Sequence, residues 1–166
     1  RRLARKHAVL SASSAARWIA CPPSARLNAE QSDTPSEYAA QGTDAHTLCE
    51  YKLRKALGKR VRDPTKKLSS YDSEMEECAE FYVQFVMGLV AQFREESADT
   101  MVSVEQRVEF SDFVPDGFGT ADTLIISGKT VCIVDYKHGK GIEVSVDHNP
   151  QMMCYALGCI QMFDGL

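Results

Sequence analysis

Between Arg94 and Met101 the apolar residues change their spacing, and that change restricts the chain to a mixed α/β design. Upstream, Met75, Cys78, Tyr82, Phe85, Leu89 and Phe93 recur at steps of three and four, the repeat of one buried helical face. Downstream, MVSVEQRVEF over 101–110 alternates, as a half-buried strand does. One helix is therefore expected over about 73–94 and a strand over 101–110. Pro115-Asp116-Gly117 and Gly128-Lys129 are turn chemistry, so further strands follow over 118–127 and 130–137. The serines of 11–14 read as the cap of a short helix carrying Trp18, which stops before Cys21-Pro22-Pro23. A polar stretch leads to a helix over 37–57 with Ala45, Leu48, Leu53 and Ala56 on its apolar face; Gly42 weakens its first turns and Gly58 ends it. His138-Gly139-Lys140-Gly141 reads as a flexible loop and 142–146 as a short extension, before Asn149-Pro150 opens a last helix. The expected fold is α/β (α+β): one domain over 1–166, with helices flanking a central sheet whose first three strands form an antiparallel meander.

Hydrophobic residues make up 44% and charged residues 25%, which describes a globular protein with a buried core and excludes a disordered one. No apolar run approaches the roughly 20 residues that span a bilayer, and no signal-peptide pattern follows the basic start. No membrane partner is expected. Six cysteines without CxxC spacing, set in apolar segments, read as buried thiols of a reducing cytoplasm. The chain starts without Met and stops just past a helical pattern, so a C-terminal part is expected to be missing. The net charge of −4 is segregated: 52–67 holds eight basic residues and one acid, 72–80 five acids and no base. Such asymmetry can steer a polyanion, although two solvated surfaces is the simpler reading.

The chemistry concentrates at the end of the third strand. Side chains alternate across a strand, so Asp135 and Lys137 face one side and Tyr136 the other. They follow Val131-Cys132-Ile133-Val134, apolar on both faces as in a central strand, where emerging charges need partners or a metal. The Gly128-Lys129 hairpin would bring Asp122 of the second strand to Asp135, a pair of hard oxygen donors suited to Mg²⁺ or Mn²⁺. Asp116 lies in turn chemistry and is set aside in favour of Asp122, whose small neighbours in Gly119-Thr120-Ala121 would leave room for a ligand. Taken alone, His46-x-x-x-Glu50 reads as a salt-linked structural pair, Tyr155 as core and Gln151 as a first-turn surface residue. His138 and His148 are given no role.

GTAD at 119–122 followed by VDYK at 134–137 resembles the PD-(D/E)xK nuclease superfamily, in its RecB-like and phage-exonuclease branches, including a group of phage-encoded proteins. Gly42-Thr43-x-x-His46-x-x-x-Glu50, Gln151-x-x-x-Tyr155 and Ser11-x-Ser13-x4-Trp18-x-x-Cys21-Pro22 are similar to its other motifs, so the likeness runs from Ser11 to Tyr155. The resemblance implies a restriction-endonuclease-like core with a mixed sheet, a further strand following the Gln/Tyr helix. It implies a Mg²⁺- or Mn²⁺-dependent deoxyribonuclease, an exonuclease of phage or prophage recombination and repair. The metal would be held by His46, Asp122, Asp135 and the backbone carbonyl of Tyr136. Lys137 would position the attacking water or stabilise developing charge, and Gln151 and Tyr155 would position Lys137 or a DNA phosphate. Glu50 and Glu105 are outer candidates, Glu105 reading equally as a solvent-exposed residue. Some relatives carry iron–sulfur clusters on one upstream and three downstream cysteines; Cys21 matches the upstream position, but the triplet is not recognisable, so no cluster is expected in this chain. DNA is the expected partner, with a homo-oligomer and a recombination or annealing protein as further options. The alternatives are a catalytically idle DNA-binding scaffold of the same fold, or a subunit active only with its partner.

Overall fold

The computed structural model describes residues 8–30, 36–139 and 143–163. A 3-10 turn at Ala12–Ser14 leads into α1 (Ala15–Ala20) and α2 (Pro23–Ala29), followed by α3 (Glu37–Ala56) and α4 (Ser73–Glu96). Strands β1 (Met101–Glu109), β2 (Phe118–Ser127) and β3 (Thr130–Val134) form an antiparallel meander, and α5 (Pro150–Met162) closes the described chain. Among the described residues the architecture is therefore mixed α/β, with five α-helices and a three-stranded antiparallel sheet in the order β1-β2-β3. No helix among them is long and apolar enough to cross a membrane.

The helix boundaries follow from local chemistry. Ser36 and Asp72 cap α3 and α4 by accepting from the Ala39 and Met75 N–H groups. Gly58, at φ +77°, ends α3: its N–H donates to Lys55 O and that of Lys59 to Arg54 O, a pattern few side chains allow. Asn149 accepts from Gln151 N and Met152 N, with Pro150 in the first helical position of α5. The same proline preference explains α2, absent from the sequence reading. Pro22-Pro23 stops α1, but Pro23 also starts a helix, because its missing N–H would have had no partner there. The serines of 11–14 make no side-chain cap; Ser11 and Ser14 hydroxyls bond each other at 2.8 Å, and the Trp18 indole N–H donates to Ser11 O at 2.9 Å.

Each face of the sheet buries its own cluster. Helices α3 and α4 cover one with Leu48, Leu53, Tyr82, Val86 and Val90 around Ile125. Helix α5 and the N-terminal turn cover the other, with Ala12, Cys154, Tyr155 and Cys159 against Val108, Phe110 and Leu124. This corrects the sequence reading of β3. The described sheet has β2 at its centre, and β3 is apolar on both sides because helices cover both faces. Strand β3 also ends at Val134 rather than Lys137, since the Tyr136 N–H is taken by the Asp122 carboxylate instead of a β2 carbonyl. Residues 143–146 are not a strand; Ile142, with Lys140 and Gly141 of the loop, lies outside the described residues. All six cysteines are free, but Cys21 is exposed rather than buried. Charge segregation is partly neutralised as well: Lys52 pairs with Glu76 and Glu80, and Arg54 with Glu50.

One irregularity shapes the centre of the sheet. Pairing between β1 and β2 runs Val104↔Thr123 and resumes at Gln106↔Ala121, skipping Glu105 opposite Asp122. Glu105 sits at φ +52°, a left-handed backbone that a residue bearing a Cβ adopts at a cost of about 1 kcal/mol or more. The alternation slips there. Val102 and Val104 pack toward α3 and α4, whereas Val108 and Phe110, of the same parity, pack toward α5. The kink turns this part of the strand pair over, and Asp122 emerges at the turning point.

Packing of α5 against β1 depends on Gly158. A Cβ there would lie 2.3 Å from Val108 Cγ1 and 2.8 Å from Glu109 O. Gly158→Ala is expected to destabilise by about 1–3 kcal/mol through overpacking, lowering the melting temperature by about 2–4 °C per kcal/mol. Calorimetry on the two proteins decides it, and an unchanged transition would contradict this packing.

Candidate metal centre

Asp122 is 9% exposed, and both of its oxygens are engaged. Oδ2 accepts the Tyr136 N–H at 2.6 Å, and Oδ1 lies 3.1 Å from His46 Nδ1 on α3. The β2–β3 ladder stops at Thr123↔Val134, so the next position would set Asp122 opposite Asp135, as the hairpin predicted. Asp135 accepts from Gln151 Nε2 at 2.9 Å through Oδ1 and pairs with Lys137 Nζ at 2.5 Å through Oδ2. Lys137 also donates to Gln151 Oε1 at 3.1 Å. Gln151 therefore uses both ends of its amide to hold the Asp135–Lys137 pair. Tyr155, one turn along α5, accepts from Gln151 Nε2 at 3.2 Å and donates to Thr120 O at 2.6 Å. Burial pushes its phenol up, so it remains a donor.

Tyr136 points the other way, as alternation requires. Its ring meets the His46 ring edge-on with centroids 5.6 Å apart, and its hydroxyl bonds His138 Nδ1 at 2.9 Å. His46 is thus fixed by Asp122 on one side and an aromatic wall on the other. The smallness of Gly119 serves packing rather than ligand space: a Cβ there would lie 2.9 Å from both Ala12 Cβ and Tyr155 Cε1.

The sequence-predicted residues line one cavity of about 270 Å³: His46, Asp122, Asp135, Lys137, Gln151 and Tyr155. Ser11 and Ser13 of the N-terminal motif border it too, which explains that motif's place beside the others. Residues from α3, α5, β2, the segment after β3 and the N-terminal turn thus converge, although His46 and Gln151 are 105 positions apart.

Glu105 is the residue that the sequence reading undervalued. One ligand atom from each of His46, Glu105 and Asp122 lies within 4.8 Å of the other two. An imidazole nitrogen with two carboxylates is a donor set for a hard or borderline divalent cation, so these residues fit the metal that the sequence implied. Asp135 stands beside this group, its oxygens occupied by Gln151 and Lys137. Tyr136 offers Asp122 its N–H, not its carbonyl. Glu50 forms an ion pair with Arg54 at 2.8 Å on α3 and faces the site only through its charge.

The electrostatics are those of crowded, partly buried acids. Burial, then the charges of Asp122 and Glu50, push Glu105 up to about 7. Burial raises Asp135 against the pull of Lys137, and the Asp122 hydrogen bond raises His46 against its own burial. All three folded values lie above the unfolded ones, so each contributes stability below its unfolded pKa and loses it as pH rises through the folded one. Without metal, the melting temperature is expected to fall as pH rises from about 5 to 8 (the span of the ordinary carboxylate and histidine values and the Glu105 value). Mn²⁺ should reverse most of that fall, and Glu105→Gln should lessen it. Thermal melts across pH, with and without Mn²⁺, check this; a metal-free protein that gains stability on the way to pH 8 would contradict it.

The described residues form an α/β protein in which His46, Asp122, Asp135 and Lys137 line one cavity. The chain belongs to the family described as protein of unknown function DUF2800, whose model matches residues 7–166. No solved structure matches the chain significantly.

Proposed function

We propose that the protein is a Mg²⁺- or Mn²⁺-dependent nuclease that hydrolyses DNA phosphodiester bonds, an exonuclease of phage or prophage recombination or repair. The proposal includes a restriction-endonuclease-like core of the PD-(D/E)xK type, for which the antiparallel meander with helices on both faces is the support. One observation carries the reading: motifs far apart in sequence bring His46, two aspartates, Lys137, Gln151 and Tyr155 to a single cavity.

His46, Asp122 and Glu105 would hold the metal, and the resemblance adds Asp135 and the Tyr136 carbonyl as further ligands. A divalent cation there supplies Lewis acidity toward a phosphoryl oxygen and acidifies the attacking water. Hydrolysis forms a bond from water oxygen to phosphorus and breaks the ester bond opposite, so negative charge grows on the phosphoryl oxygens. Lys137 places its ammonium at the cavity where that charge develops, and Gln151 keeps it there in one geometry. Tyr155 ties Gln151 to the backbone of β2, so carboxylates, lysine and amide form one rigid unit.

Calorimetric titration of Mn²⁺ into the wild-type chain and Glu105→Gln tests the metal half of the proposal. Saturable binding that weakens in the variant is expected, and no saturable binding in the wild type would remove it.

A further inference from the structure

Next to the proposed catalytic cavity lies a second one, of about 670 Å³, which shares Lys137 with it. Its walls are aromatic: Tyr38 from α3, Phe81 from α4, and Tyr136 with His138 from the segment after β3. Tyr38 is 86% and Phe81 72% exposed, a large cost for side chains that core packing does not use. The Tyr136 and His138 rings stack on each other at 5.9 Å with an interplanar angle of 28°, a ready flat surface. Phe85, one turn beyond Phe81 and also exposed, prolongs the apolar stripe on α4. The remaining rim includes Asp72 and Glu77.

Resting on the nuclease reading above, we infer that this cavity receives an unpaired nucleobase of the DNA strand whose phosphate sits at Lys137, making the substrate single-stranded at the site. Two features fix that occupant. Aromatic faces stack on any base, and the cavity falls within the size range of small-ligand pockets. The carboxylates of Asp72 and Glu77 repel phosphate but not an uncharged base, so the polyanionic backbone is held at the Lys137 end and only the base enters. A paired base stays stacked in its duplex and has no access to a walled cavity of this kind.

The test measures binding of the full chain, in chelator to stop cleavage, to a short deoxyadenosine oligomer and to an abasic strand of the same length. Fluorescence anisotropy is expected to show the base-bearing strand bound about tenfold more tightly, the size of one base–aromatic stack. Phe81→Ala and Tyr38→Ala, both at exposed positions that leave the core intact, are expected to remove most of that difference. Cleavage of the abasic strand with Mn²⁺ should not change in either variant. Equal binding of the two strands, or a preference untouched by both substitutions, overturns the inference. A chain that cleaves DNA but ignores the bases loses only this inference. One that prefers bases but never cleaves loses the nuclease reading and keeps the cavity's occupant.

Discussion

Asp122→Asn is expected to lower metal-dependent DNA cleavage by about 10³-fold or more, the worth of several kcal/mol of charge stabilisation lost with a metal ligand. The substitution keeps the side chain's size. Its amide oxygen can still accept the Tyr136 N–H, and its NH₂ can donate to a neutral His46 at Nδ1, so the fold is expected to survive. What disappears is the charge. The hydrogen bond from Asp122 is the main reason that His46 is raised, so His46 is expected to titrate at lower pH in the variant. The imidazole resonances followed by NMR across pH provide a readout independent of activity. A His46 titration that does not move would show that the pair is not formed as described.

Lys137→Met is the second large effect, with a different signature. Lys137 is half exposed, so its loss should cost little stability. It contacts Asp135 and Gln151, and its ammonium has no lone pair to offer a metal. The turnover rate is expected to fall about 10²–10³-fold, as when one preorganised charge donor is removed from a transition state. Mn²⁺ affinity should stay within a few-fold of wild type, or increase as the competing ammonium leaves Asp135. Steady-state kinetics beside metal titration separates the two effects. Equal losses in metal affinity and turnover would assign Lys137 to holding the site together instead.

Much of this site was legible because its signals are local. The apolar run before Asp135, the Gly128-Lys129 hairpin and the Asn149-Pro150 helix start each act over a few residues. They predicted the facing of Asp122 and Asp135, whereas His46, Gln151 and Tyr155 came to the site only through the resemblance. The fate of Glu105 was not legible, because it depends on long-range register. The turn between β1 and β2 is wider than Pro115-Asp116-Gly117: Phe110 N already bonds Gly117 O, and Phe113 and Val114 turn back onto Phe110. Only with that turn in place does Glu105 fall opposite Asp122, and only the kink at φ +52° brings it to His46. Asp116 sits in that turn at φ +53°, which is consistent with choosing Asp122 over it. Helix α2 was hidden for another reason. Pro-Pro is a stop for one helix and a start for the next, and propensity alone does not choose between them.

The most direct test of the central claim is a cleavage assay on 5′- and 3′-labelled single- and double-stranded DNA with Mg²⁺, Mn²⁺ or chelator, comparing wild type with Asp122→Asn. Products from the wild type with either metal, none with chelator and none from the variant are predicted. Wild-type protein that cleaves no strand with either metal, or a variant that cleaves as well as wild type, would contradict it.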